Sequence, residues 1–143
     1  MKENRIFLGI DTSNYTTSVS AVGIGGEVQK NIKVPLPVKD GELGLRLSDA
    51  VFDHTKNLPE AFRAADGVIK DSEVLAIGVS QRPRDAEGSY MPCFLSGVAV
   101  ATALSETLGC AMYANSHQAG HIMAAMYSSG MSDSYNGERF ISF

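Results

Sequence analysis

The sequence predicts an α/β domain: a mixed sheet whose first three strands run antiparallel, with helices packed on both faces. Three observations carry that expectation. Residues 5–35 hold three strand-like runs separated by turn signals, and the remainder alternates apolar helical segments with short β-branched runs. The chain has 143 residues, the size of one domain that buries roughly two thirds of the surface of its unfolded form.

Taken in order, "RIFLGID" (5–11) is β-branched and aromatic with little polar interruption, as a strand buried on both faces would be. "TTSVSAVG" (16–23) alternates as its neighbour, and "IGGE" (24–27) supplies the turn into "EVQKNIKVP" (27–35). A polar loop, "LPVKDGELGL" (36–45), leads to Ser48, placed to cap a helix that turns Val51, Phe52, Leu58, Phe62 and Ile69 toward a core. Pro59 inside that segment is expected to kink it or to begin a second helix. "EVLAIGVS" (73–80) reads as a buried strand and "QRPRDAEGSYMP" (81–92) as a loop. Residues 93–109 read as a helix ending near Gly109, and "AMYA" (111–114) as a short strand. Asn115 or Ser116 then caps a helix carrying His117 and His121. A glycine and serine stretch precedes "RFISF" (139–143).

Composition narrows the function classes. The net charge is −4 with no block of like charges, so no broad basic face for nucleic acid is evident. The polar lead into "RIFLGID" lacks signal-peptide anatomy, and "CFLSGVAVATAL" (93–104) is too short to span a bilayer. The expectation is a cytoplasmic protein, not a membrane one, with Cys93 and Cys110 reduced and buried. Met112, Met123 and Met126, with Tyr113 and Tyr127, read as core filler.

The chemistry-bearing residues fall in three places. A buried strand ending in Asp11, followed by Thr12, Ser13, Thr16 and Thr17, fits a phosphate-facing hairpin: the carboxylate holds a metal or water, and turn donors receive an anion. This is the pattern of a ribonuclease-H-like lobe, half of an actin-type ATPase. Arg82 and Arg84, beside Asp85 and Glu87, offer forked donors to an anion or form a solvated loop. His117 and His121 lie one turn apart on one helical face, which suits two ligands of one cation and equally a polar helix face.

"LGIDTSNYTTSVS", "GLRLSDAVFDHTKNLPEAF" (44–62), "FLSGVAVATALSETLGCAMYANSHQAGHIMAAMY" (94–127) and "RFISF" occur in the order found in the TsaD family of tRNA threonylcarbamoyladenosine synthesis proteins. That family is also known as Gcp and formerly as O-sialoglycoprotein endopeptidase. The chain resembles its first half nearly end to end. The resemblance implies a ribonuclease-H-like lobe of the actin-like superfamily over residues 1–138, with residues 139–143 as the first strand of a second lobe. It implies that His117 and His121 bind iron or zinc, completed by an aspartate of the second lobe, that Asp11 is the catalytic acidic residue, and that Thr12 and Ser13 face the nucleotide. The Asp-His of the family's first long helix falls on Asp53 and His54. The implied activity is transfer of a threonylcarbamoyl group from threonylcarbamoyl-adenylate to N6 of adenosine 37 in tRNA, a lone lobe being inactive. ATP or the adenylate is the implied nucleotide.

Two departures from the family are visible: Asn14, Tyr15 and Thr16 replace a common acidic pair, and the 81–92 loop replaces a glycine-rich one. The implied partners are tRNA and TsaB-like and TsaE-like proteins; a homodimer, through the lobe or through the apolar, strand-prone tail "RFISF", is also expected. A noncatalytic TsaB-like dimerising scaffold is the alternative, against which the histidine pair counts. The older metallopeptidase reading finds no H-E-x-x-H and no glutamate beside either histidine.

Overall fold

A computed structural model describes residues 2–38, 41 and 44–130. The chain order is β1 (Asn4–Asp11), β2 (Thr16–Gly23), β3 (Val28–Pro35), α1 (Leu47–Ala64), α2 (Asp66–Asp71), β4 (Ser72–Arg82), α3 (Phe94–Leu108), β5 (Ala111–Ser116) and α4 (His117–Ser128). The five strands form one sheet in the order β3-β2-β1-β4-β5. The β1–β2 and β2–β3 pairs are antiparallel, whereas β4 lies parallel to β1 and β5 parallel to β4. This is the mixed sheet, with three antiparallel strands first, that the sequence predicts.

Strand periodicity divides the sheet into two unlike faces. On one face, Ile6, Leu8 and Ile10 of β1, Val19 and Ala21 of β2, and Ile77 and Val79 of β4 are all buried. Helix α1 lays Ala50, His54, Leu58 and Ala61 on this half of the molecule, a spacing that keeps one stripe turned inward. Helix α3 buries Phe94, Gly97 and Ala101 beside it. Each large aliphatic side chain enclosed there contributes about 1.5–3 kcal/mol of transfer free energy. A smaller cluster of Leu36, Ala50, Cys93 and Phe94 closes the core at the end where β1 and β4 finish.

Local expectations needed correction. Helix α1 begins at Leu47 with Arg46 at the N-cap position and no side-chain cap, so Ser48 lies inside the helix. Pro59 starts no second helix: α1 runs through it to Ala64, and Ile69 belongs to the separate α2. Proline forfeits its own N–H bond and crowds the carbonyl four residues earlier, and the buried stripe on either side offsets that cost. Phe52, two residues out of phase with that stripe, is 63% exposed, with the Lys56 ammonium over its ring. Gly109 does end α3, in the left-handed conformation at φ 66°. Ser116, not Asn115, caps α4 by accepting a hydrogen bond from the Ala119 amide at 3.1 Å.

The second face is thinly covered. Among the helices of the described residues only α4 borders it, beside β4 and β5, and no α4 residue is buried. Tyr113 of β5 and Met123 and Tyr127 of α4 stand about half exposed or more, so the expectation that they fill the core fails. Met112 does pack against the core, because even-numbered β5 positions share the face of Ile77 and Val79. No helix of the described residues is long and apolar enough to cross a membrane. The proposed strand 139–143 lies outside the described residues.

Candidate functional site

Register places a complete polar row across the open face. Asp11 pairs with Ser18 and Ser18 with Lys33, while Ser80 pairs with Asn115 on the other side. The next row is Asn31, Ser20, Gly9, Gly78 and Tyr113. The two central glycines give this row a bare backbone floor. Apart from Tyr113, these rows and α4 line an open groove of about 760 Å³.

At one end of the groove a hydrogen-bonded chain converges on Asp11. Its Oδ1 accepts from the Ser13 amide at 2.8 Å and from the Ser13 hydroxyl. Its Oδ2 accepts from the Ser80 hydroxyl at 2.5 Å and pairs with His117 Nδ1 at 2.8 Å. His117 Nε2 in turn lies 2.8 Å from Nε2 of His121, with the two rings edge to face. Burial, the strongest single influence on Asp11, pushes its pKa up. The hydrogen bonds from Ser13, Ser80 and His117 together outweigh it and hold the carboxyl below its ordinary value of 3.8.

The chain of contacts sets the roles of the two nitrogens of each ring. An ionised carboxylate accepts only, so His117 presents Nδ1–H to Asp11, and in a neutral ring the Nε2 lone pair then faces His121. A carboxylate gripping one imidazole nitrogen while the other faces outward is the arrangement in which histidine ligates a metal. Two such nitrogens on a tetrahedral ion stand about 3.3 Å apart, so a small separation of the rings from 2.8 Å would admit one. The pair therefore fits a divalent ion as two of its ligands. No cluster of three or more His, Cys, Asp or Glu side chains suited to a metal occurs among the described residues.

The remaining expected residues are placed as follows. Ser13 is enclosed against Asp11, whereas Thr12 points into the core with no exposure. The Thr12 hydroxyl donates to the Cys93 carbonyl at 2.8 Å and accepts from the Gly97 amide at 3.2 Å, which ties the end of β1 to the start of α3. Asp53 is half-buried on α1, and His54 is wholly buried. Arg82 is bound by Asp85 at 2.8 Å, while Arg84 is exposed. The Gln118 amide donates to the Pro83 carbonyl at 3.0 Å, so this loop is anchored to the first turn of α4. Cys93 and Cys110 are both free thiols, the first buried and the second half-buried. The sequence marks Ser80 only as the end of a buried strand and not as a site residue. Its position two residues after Gly78, on the face opposite Val79, is the signal that would have found it.

No protein-family model matches the chain, and no curated protein matches it. Its fold does have solved counterparts. An uncharacterised protein from Pseudomonas aeruginosa, described as similar to the peptidase YeaZ, superposes with a TM-score of 0.59 at 19% identity, covering 88% of this chain and 50% of its own. YeaZ from Pseudomonas aeruginosa superposes with a TM-score of 0.54, also at 19% identity and the same coverage. The chain thus spans about half the length of these neighbours. They share its fold, a mixed five-stranded α/β sheet with helices, and give no support to the narrower TsaD/Gcp resemblance.

Proposed function

We propose that this chain is a noncatalytic, partner-binding subunit of the YeaZ (TsaB) kind, acting in threonylcarbamoyladenosine synthesis on tRNA beside a TsaD-type transferase. The observation that carries this reading is the likeness of its sheet and helices to YeaZ across 88% of the chain. The geometry agrees with a role exercised in company. The groove has the sheet as floor and α4 as one wall, and α4 keeps Met123 and Tyr127 about half exposed. A site open on that scale holds a small ligand weakly by itself.

One specific observation favours a second reading. Two imidazole nitrogens face each other at 2.8 Å, and Asp11 fixes the first ring. In this reading the chain is the metal-holding half of a TsaD/Gcp-like transferase. His117 and His121 supply two ligands to iron or zinc, Asp11 orients His117, and Ser13 faces the phosphates of ATP or threonylcarbamoyl-adenylate. Transfer to tRNA then requires the other half of the site.

A reconstituted threonylcarbamoyl-transfer reaction separates the two. The chain, added to a mixture lacking its YeaZ component, is expected to restore modified tRNA, and the His117→Ala/His121→Ala variant is expected to restore it equally. Rescue of a mixture lacking the transferase, lost in that variant, establishes the second reading. No rescue of either mixture removes both.

A further inference from the structure

Among the described residues, one buried side-chain polar atom has no hydrogen-bond partner: Nε2 of His54. The ring is fully enclosed on α1, in the stripe of Ala50 and Leu58, where leucine would fill the same space. An orphaned nitrogen of this sort costs about 1–3 kcal/mol. The imidazole earns its place at the other nitrogen, since Nδ1 lies 2.8 Å from the Thr17 hydroxyl. Asn57, on the same helix, donates to that hydroxyl at 3.4 Å.

Thr17 is also fully buried and sits near the start of β2, just past the turn that follows Asp11. That turn contains Asn14 at φ 43°, in the left-handed region that side chains other than glycine adopt at a cost. Its far end is gripped by α3 through Thr12, Cys93 and Gly97. Ser13 lies between the two grips and delivers two hydrogen bonds to Asp11 Oδ1. Helices α1 and α3 thus each hold one end of the turn, and the residue between them steadies the carboxylate of the opposite face.

We propose that His54 is a positioning residue for the open-face site: through Thr17 it sets the β1–β2 turn so that Ser13 keeps Asp11 directed at His117. This inference stands whichever reading of the site holds, because it concerns how Asp11 is presented. Histidine suits the task because its ring both fills a core position and offers a nitrogen short of the helix surface, which no aliphatic residue does.

Hydrogen exchange at the Ser13 amide reads the arrangement directly, because that N–H points at Asp11 Oδ1. His54→Phe keeps the volume and removes Nδ1, whereas His54→Asn keeps a polar atom where Nδ1 stands. Thr17→Val removes the partner hydroxyl without touching the helix. In His54→Phe and in Thr17→Val the Ser13 amide is expected to exchange about 10-fold faster than in the unaltered protein, with the Ile77 amide of the core strand unchanged. His54→Asn is expected to bring Ser13 back to within about 3-fold. Unaltered Ser13 exchange in both the phenylalanine and valine variants overturns the proposal. So does acceleration that runs equally through Ile77, which would make His54 a packing residue only. Should His54→Phe not fold, Thr17→Val decides the matter alone.

Discussion

The two faces of one sheet are built from alternate residues of the same strands, and they differ in almost every physical respect. In β1, Ile6, Leu8 and Ile10 are sealed beneath α1 and α3, while Gly9 and Asp11 between and beyond them open onto the groove. In β4, Ile77 and Val79 are interior, while Gly78 and Ser80 line the groove. The apolar face supplies the free energy of folding. The polar face, rigidly held by that packing, can keep a carboxylate and two imidazoles in a fixed chain. Stability and function can therefore be altered separately by substitutions one residue apart.

The contrast is broken most severely from the core side. Ile77→Ala is expected to destabilise the protein by about 2–5 kcal/mol in chemical denaturation, through lost transfer energy and the cavity left behind. Gly97→Ala is expected to cost about 1–3 kcal/mol, because an added methyl would stand 2.9 Å from the Thr12 hydroxyl and 3.2 Å from its methyl where α3 meets β1. At the other extreme, Gly9→Ala on the open face is expected to change stability by less than about 1 kcal/mol. Its new methyl would meet only Ser20, the hydroxyl at 2.5 Å and the Cβ at an ordinary 3.9 Å, and that hydroxyl can rotate away.

Stability against pH sharpens the comparison, because a group with a depressed pKa stands on each face, His54 on one and Asp11 on the other. Burial lowers the pKa of His54 below its ordinary 6.5, so its contribution is whole above that value and is lost as pH falls through the depressed folded-state pKa. The Asp11 pKa is also depressed, so its contribution is whole above 3.8 and fades only below it. Denaturation midpoints followed downward from neutral pH are expected to decline first from the His54 region and then again from the Asp11 region. His54→Asn flattens the first decline and Asp11→Asn the second.

How much of this was legible in sequence follows from what each feature depends on. Strand alternation and turn glycines are local, so all five strands emerge close to their observed limits. Helix α1 was placed, but its phase was not: Phe52 is as apolar as Phe62, and only the packed stripe through Ala50, His54, Leu58 and Ala61 decides which turns inward. The histidine pair and Asp11 were read as separate motifs, since their juxtaposition depends on β1 and β5 flanking β4, a pairing across 106 residues. Composition points Tyr113, Met123 and Tyr127 to a core, because apolar residues usually fill one. Their exposure follows from a face that the described helices barely cover. Ser80 was invisible because a serine closing a strand carries no sign of the carboxylate it will meet.

The central claim is that Asp11 holds His117, and His117 meets His121, as one hydrogen-bonded chain on the open face. Long-range nitrogen–proton spectra of the imidazoles at neutral pH test it most directly. The protein is expected to show His117 protonated at Nδ1, with that preference lost in Asp11→Asn while His54 is unchanged. A His117 ring protonated at Nε2, indifferent to the loss of Asp11, would contradict the account.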